Sequence, residues 1–287
     1  MEYKIAGHRI KIRGTRLIDA IGRIRGFEAF RTDDSDSHLC AFIDDYHQGH
    51  SYTPAMDNIL YADSNEGFSS EFGTTYDGNY LFLNRNMRGE NINVLTSPDG
   101  KESVFGGEFD PDILRFACWM AYGLATLPYK TLAIHASTLL YQGNAVLFLG
   151  ESGTGKSTHT RLWRENIPGA ELLNDDSPII RVVHGIPYAY GSPWSGKLPC
   201  YRNEAYPLAA CVRLSQAPYN KIRKLSVLEA FTALHPSCPP PFAYDEHLYD
   251  FVSSTLSDIL SVTPVYHMEA LPDADAALMV RDTLFGV

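Results

Sequence analysis

The stretch Ala145-Val146-Leu147-Phe148-Leu149-Gly150-Glu151-Ser152-Gly153-Thr154-Gly155-Lys156-Ser157-Thr158 decides how the rest of the chain is read. Its first five residues are all apolar and predict a buried strand. Gly150-x-x-x-x-Gly155-Lys156-Ser157 then matches the phosphate-loop pattern in full, and a helix is predicted over Thr158–Glu165. The glycines let the backbone curl so that consecutive N–H groups point inward as an anion nest. The helix behind the loop adds its unsatisfied N–H groups and its positive dipole end. In such a loop Lys156 reaches the β- and γ-phosphates and the Ser157 hydroxyl ligates Mg²⁺. The expected cofactor is a nucleoside triphosphate with Mg²⁺, held by Gly150, Glu151, Ser152, Gly153, Thr154, Gly155, Lys156, Ser157 and Thr158. A glycine turn of similar spelling is the competing reading, and strand, loop and helix together argue against it.

Nineteen residues past Lys156 comes Asn174-Asp175-Asp176, at the end of a short predicted strand from Glu171. One helix and a turn fit in that interval, enough for a single strand–helix–strand crossover. A parallel neighbouring strand would end on the same edge as the loop, where ligands gather in α/β sheets. One carboxylate can then hold the Mg²⁺, and the other can accept the proton of an attacking hydroxyl. Two solvated acids opening a turn before Pro178 are the bland alternative.

Downstream, Pro178–Val183 and Ile186–Tyr190 predict a hairpin, Leu208–Leu214 and Val265–Glu269 strands, and Ser226–Leu234, Asp245–Leu260 and Ala274–Leu284 helices. Upstream, a helix is predicted from Asp110-Pro111-Asp112, with Asp at the cap and Pro in the first turn. Ile113, Phe116, Ala117, Met120, Ala121 and Leu124 share one of its faces. Thr131–Ala136 and Ser137–Tyr141 read as strands. Before residue 110, strand-like runs alternate with turns: Tyr3–Arg13, a hairpin through Asp77-Gly78 between Thr74 and Leu83, and Asn91–Leu95. Two domains follow, an accessory β-rich or α+β domain over 1–110 and an α/β nucleotide-binding domain over 111–287. Tyr46, Tyr52, Tyr61 and Tyr76 of the first domain read as core and rim packing, and His47 and His50 as part of a surface loop.

The whole chain narrows the options. Lys and Arg number 24 against 34 Asp and Glu, a net charge of −10 over 287 residues. Nucleic acid is therefore not an expected partner, since phosphate-backbone affinity needs clustered cations. No run approaches the ~18 apolar residues of a spanning helix, so no membrane association is expected. Five scattered cysteines without a CxxC pair suit neither a disulfide framework nor structural zinc. The expected setting is a reducing, cytoplasmic one.

His135, the strand pair before Gly150, the loop itself and Asp175-Asp176 resemble the nucleotide site of HPr kinase/phosphorylase. That site is in turn similar to the one in ATP-dependent phosphoenolpyruvate carboxykinase. HPr-kinase-related proteins also share Gly191-Ser192-Pro193-Trp194-Ser195-Gly196-Lys197, and the likeness runs over about residues 131–285. The resemblance implies an HPr-kinase/phosphoenolpyruvate-carboxykinase-like domain and ATP as the nucleotide. It implies Asp175 as catalytic base and Asp176 as metal-side carboxylate, with the exchanged assignment open. His135 would stand close to the phosphates, unless it is a strand histidine without a chemical role. Lys197 or Arg202 would neutralise charge on the transferred group, against a solvated Gly-Lys turn as the alternative. Trp194 reads as a packing anchor. The family's protein kinases carry an acidic residue after the loop serine where this chain has Thr158, and their C-terminal signature has no match here. HPr as acceptor and reverse phosphorolysis are therefore not implied.

The expected activity is a phosphotransferase moving a phosphoryl group from ATP to a hydroxyl of a small molecule or peptide, with homo-oligomeric assembly left open. The alternative is a partner-coupled ATPase or nucleotide-binding switch that phosphorylates no acceptor. A guanine reader is absent, because Asn220-Lys221-Ile222-Arg223 lacks the aspartate that motif requires.

Overall fold

The computed structural model describes residues 1–34, 36–45, 54–64, 67–196 and 198–286. It is a mixed α/β protein with six α-helices among the described residues. The chain forms two compact units, Met1–Tyr129 with Pro241–Tyr249, and Lys130–Pro240 with Asp250–Val287.

Among the described residues the first unit holds an eight-stranded sheet and two complete α-helices. Its first hairpin, β1 (Glu2–Ile5) and β2 (His8–Arg13), occupies the segment where one strand is predicted. Ala6 and Gly7 take positive φ values of 48° and 78°, the signature of a two-residue type I′ turn. Next come α1 (Thr15–Arg23), β3 (Cys40–Asp44) and the meander β4 (Asn58–Ser64), β5 (Phe68–Thr74), β6 (Tyr80–Asn86), β7 (Asn91–Thr96) and β8 (Glu102–Gly107). The spatial order is β1-β2-β3-β8-β7-β6-β5-β4, with β3 parallel to both its neighbours. The turn through Asp77-Gly78 joins β5 to β6, in agreement with its sequence cue. His47, His50, Tyr46 and Tyr52 lie outside the described residues.

Helix α2 (Pro111–Thr126) starts where predicted, with the Asp110 side chain accepting from the N–H groups of Asp112 and Ile113. It buries Ile113, Leu114, Ala117, Cys118 and Ala121 and packs on β6 and β7. The expected boundary at residue 110 accordingly differs from the observed division, because this apolar helix belongs to the first unit's core. Phe242 meets the Phe72 ring at 6.2 Å and draws Pro241–Tyr249 into the same unit.

The second unit holds the glycine loop. In chain order it comprises β9 (Thr131–Ala133), β10 (Ala136–Tyr141), β11 (Asn144–Leu149), α3 (Lys156–Asn166), β12 (Glu171–Asp176), β13 (Ile179–Val183), β14 (Ile186–Tyr190), β15 (Ala205–Gln216), β16 (Lys221–Lys224) and α4 (Val227–Leu234). It closes with α5 (Glu246–Val262, its first four residues in the other unit), β17 (Val265–Ala270) and α6 (Ala274–Phe285). The strands run β12-β10-β11-β15-β14-β13-β9, with β17 alongside β15 and β16 alongside β17.

The crossover from β11 through α3 does lead to β12, but the two strands are not neighbours. Strand β10 lies between them and is antiparallel to both, so β11 and β12 remain parallel and end at the same sheet edge. The direct parallel partner of β11 is instead β15. The core beneath α3 joins Leu162 and Trp163 to Leu139, Val146, Phe148, Val212 and Leu214, with Val280 of α6. Truncating a fully buried aromatic such as Trp163 to alanine would cost about 3–5 kcal/mol, so the helix that carries the loop is firmly seated.

Candidate functional site

The loop conformation follows from its glycines. Gly150 has φ 151°, and a Cβ there would meet Thr154 Oγ1 at 2.4 Å. Gly155, at φ 103°, is the residue before the helix, and no side chain caps the N-terminus of α3. The first N–H groups of an eleven-residue helix therefore face the loop without a protein acceptor side chain at the cap position. Thr154 braces the curl by donating its hydroxyl to the Glu151 carbonyl at 2.8 Å.

Lys156 is buried and folds back over the loop, donating to the Gly150 carbonyl at 2.7 Å and the Glu151 carbonyl at 3.2 Å. Burial pulls its pKa down, and the charges of Asp176 and Asp175 partly restore it. The two carboxylates and the ammonium thus share one electrostatic environment.

Asp175 and Asp176 diverge because successive side chains of a strand point to opposite sides. Asp175 turns inward and is 4% exposed. Its Oδ1 accepts from Ser137 Oγ at 2.5 Å and from Ser157 Oγ at 3.3 Å, and its Oδ2 from the Leu198 N–H at 3.4 Å. Asp176 turns outward with its side chain 54% exposed, and its Oδ1 lies 3.7 Å from His135 Nε2. Its φ of 129° is rare for a non-glycine residue, a conformation that costs on the order of 1–3 kcal/mol and persists only when neighbours enforce it.

Those neighbours come from the segment around Trp194. The Asn174 carboxamide, fully buried, accepts from the Ser177 N–H at 2.9 Å and donates to Ser192 Oγ at 3.2 Å and the Trp194 carbonyl at 3.3 Å. Ser195 bridges to Asp176 as an isolated β-pair. Gly196 lies so close that a Cβ would stand 3.1 Å from the Asp175 carbonyl. Trp194 is 4% exposed, a packing position.

His135 sits just before β10, its side chain about half exposed. Desolvation beside the loop, and then the positive charge of Lys156, hold its pKa below the usual histidine value.

Arg202 is not brought to the loop. Its guanidinium is bound by Glu171, Glu204 and the Leu172 carbonyl, at the opposite end of β12 from Asp176. Five residues of strand put that end about 17 Å away, so the expectation that Arg202 clamps the phosphates is corrected. Lys197 lies outside the described residues.

Two residues not singled out from the sequence belong to the site. Ser137 is the cross-strand partner of Asp175. Arg213 is the cross-strand partner of Leu149, and so emerges beside the first residue of the loop. Its Nη1 donates to the Ala233 carbonyl at 3.1 Å, and its Nη2 lies 3.5 Å from Glu151 Oε1. Neither carries a motif signal. Only the β12-β10-β11-β15 order places them.

Ser157 Oγ and Asp175 form a pair of hard oxygen donors of the kind Mg²⁺ uses together with waters and phosphates. Among the described residues no cluster of three or more His, Cys, Asp and Glu side chains offers an all-protein metal cage. Among the described residues no helix is long and apolar enough to cross a membrane.

Beside the loop, a cavity of about 560 Å³ opens between the start of α3 and the ends of β15 and β17. Its floor is His159, Leu162 and Leu214, and its rim includes Pro218 and Leu271.

No protein-family model matches the chain, and no curated protein matches it. Among solved structures, the Hpr(Ser) kinase/phosphatase from Coxiella burnetii is similar over 53% of this chain and 92% of that one, with 13% sequence identity and a TM-score of 0.30. A likeness that distant decides nothing for this chain, and the geometry of its own loop has to.

Proposed function

We propose that the chain is an Mg²⁺-dependent phosphotransferase that moves the γ-phosphoryl group of ATP to a hydroxyl of a small molecule or peptide. The observation that carries the reading is the convergence of Ser157 and Asp175, 3.3 Å apart, beside a buried Lys156 and an outward-facing Asp176.

In this reading the Gly150–Ser157 backbone and the start of α3 bind the phosphates, and Lys156 exchanges its carbonyl partners for β- and γ-oxygens. Ser157 and Asp175 would hold the Mg²⁺, which when bound neutralises charge on the phosphates. Asp175, whose oxygens already accept three hydrogen bonds, suits the metal side. Asp176, half exposed, suits the base, so the exchanged assignment of the two aspartates is the one proposed. The acceptor hydroxyl gives its proton to Asp176 and its oxygen bonds to the γ-phosphorus. The bond from that phosphorus to the bridging oxygen breaks, and a nucleoside diphosphate leaves. His135, 3.7 Å from Asp176, orients the carboxylate. Arg213 takes the charge-neutralising role.

The test is transfer from γ-labelled ATP with Mg²⁺ into a pooled metabolite and peptide extract, with Lys156→Ala and Asp176→Asn alongside. Label entering one acceptor, and lost in both variants, supports the kinase. Phosphate release with no labelled acceptor would shift the reading to the partner-coupled ATPase or switch.

A further inference from the structure

A nucleotide has two halves of opposite chemistry, and the second unit offers two compartments to match. The loop is built for charge. Among the described residues, the cavity of about 560 Å³ next to it is lined by no Asp, Glu, Lys or Arg. It shares Gly153, Thr154 and Gly155 with the loop itself, so one molecule can occupy both.

The cavity's polar groups are few and neutral. His159, on its floor, is 3% exposed and accepts from Trp163 Nε1 at 3.3 Å through its Nε2, which makes it the neutral tautomer with the proton on Nδ1. Ser215 lines the wall, and its Oγ is 2.9 Å from His267 Nε2 on the adjacent strand β17. A hydroxyl has one donor and two acceptor lone pairs, so this contact leaves Ser215 capacity for a further hydrogen bond. Gln216, the next residue, donates from its Nε2 to the Gly153 carbonyl at 3.0 Å and fastens the cavity wall to the loop.

Resting on the assignment of the loop as a triphosphate site, we propose that this cavity is the nucleoside compartment and that Ser215, held by His267, reads the base. The neutral lining favours adenine over guanine. A guanine edge presents adjacent N–H donors that a carboxylate would satisfy, and the cavity supplies none. Leu162, Leu214, Pro218 and Leu271 give the apolar faces against which a base packs.

The test is direct binding by calorimetry of three probes with Mg²⁺ in excess: inorganic tripolyphosphate, ATP and GTP. The proteins are wild type, Ser215→Ala, Ala217→Phe to fill the cavity, and Lys156→Ala. Expected are ATP binding at least tenfold tighter than tripolyphosphate and tighter than GTP. Ser215→Ala should weaken ATP by roughly two- to tenfold, the worth of one hydrogen bond. Ala217→Phe should remove most of the ATP advantage while tripolyphosphate binds as before, which also shows that the variant is folded. ATP and tripolyphosphate binding equally, both lost with Lys156→Ala, would overturn the nucleoside compartment and leave the phosphate loop standing. Equal ATP and GTP affinities, or an unchanged Ser215→Ala, would overturn the base-reading role. Tripolyphosphate that ignores Lys156→Ala would instead overturn the loop assignment on which the rest depends.

Discussion

Ser157 Oγ lies 3.3 Å from Asp175 Oδ1, although eighteen residues and a whole helix separate them in the chain. The first turn of α3 carries one and the last turn-facing residues of β12 the other. The same oxygen also accepts from Ser137 Oγ on the strand between, β10. The pair is thus fixed mainly by a helix and two strands, with the Leu198 N–H on the second carboxylate oxygen, and rigid elements are what a precise oxygen cage needs.

The two aspartates should separate binding from turnover. Asp175→Asn is expected to abolish the enhancement of ATP affinity by Mg²⁺, read by titrating ATP with and without the metal. Asp176→Asn should leave that enhancement intact and lower turnover by roughly 10²–10⁴-fold, the usual reach of a general base. The reverse pattern, with Asp175→Asn binding Mg-ATP normally but inactive, would restore Asp175 as the base.

Ser137→Ala removes a buried donor at 2.5 Å from Asp175. A charge left with one hydrogen bond fewer in a buried position costs about 1–3 kcal/mol. Urea unfolding should show a lower midpoint with an unchanged slope. An unchanged midpoint would mean that Ser137 does not support the carboxylate.

The sequence made the loop legible because its chemistry is local: glycines, lysine and serine act within eight consecutive positions. The helix α2 was legible for the same reason, since the Asp110 cap and Pro111 write its start into adjacent residues. Asp175 could be placed near the loop from the length of the crossover, but not its neighbours. That β10 inserts between β11 and β12 is a matter of strand order, which no local pattern encodes. Ser137 and Arg213 were missed with it. Arg202 failed for the complementary reason: proximity in sequence to Gly191-Ser192-Pro193-Trp194-Ser195 suggested the site, but its guanidinium is satisfied by Glu171 and Glu204. In the first unit, helix α1 was missed although Leu17 and Ile21 stand at helical i,i+4 spacing, because it is only nine residues long and Gly14 at its N-cap offers no side-chain capping signal.

His159 should make stability depend on pH. Burial lowers its pKa from an ordinary value of 6.5 to about 4, so the unfolded chain binds the proton more readily than the folded one. The stabilisation is fully present above pH 6.5 and is lost as pH falls through 4, in total roughly 3 kcal/mol for such a shift. Urea unfolding across this window should show a steeper loss of stability for the wild type than for His159→Phe. Parallel curves would place the titration elsewhere.

Arg213 carries the last expectation, because the strand order puts it where Lys197 and Arg202 were sought. As the cross-strand partner of Leu149 it leaves β15 level with the start of the loop, and its charge is felt at Lys156. Among the described residues its carboxylate contact is Glu151 at 3.5 Å, a side chain 84% exposed. Such a pair is worth at most about 1 kcal/mol, so the guanidinium can turn to a phosphate at little cost. Arg213→Gln should therefore lower turnover by roughly 10²-fold with ATP affinity nearly unchanged, since the charge it meets grows only as the phosphoryl group moves. Arg213→Lys should recover part of the loss, keeping the charge without the forked geometry. Full activity in Arg213→Gln, together with a fall in its unfolding midpoint, would make Arg213 an anchor for the Ala233 carbonyl and nothing more.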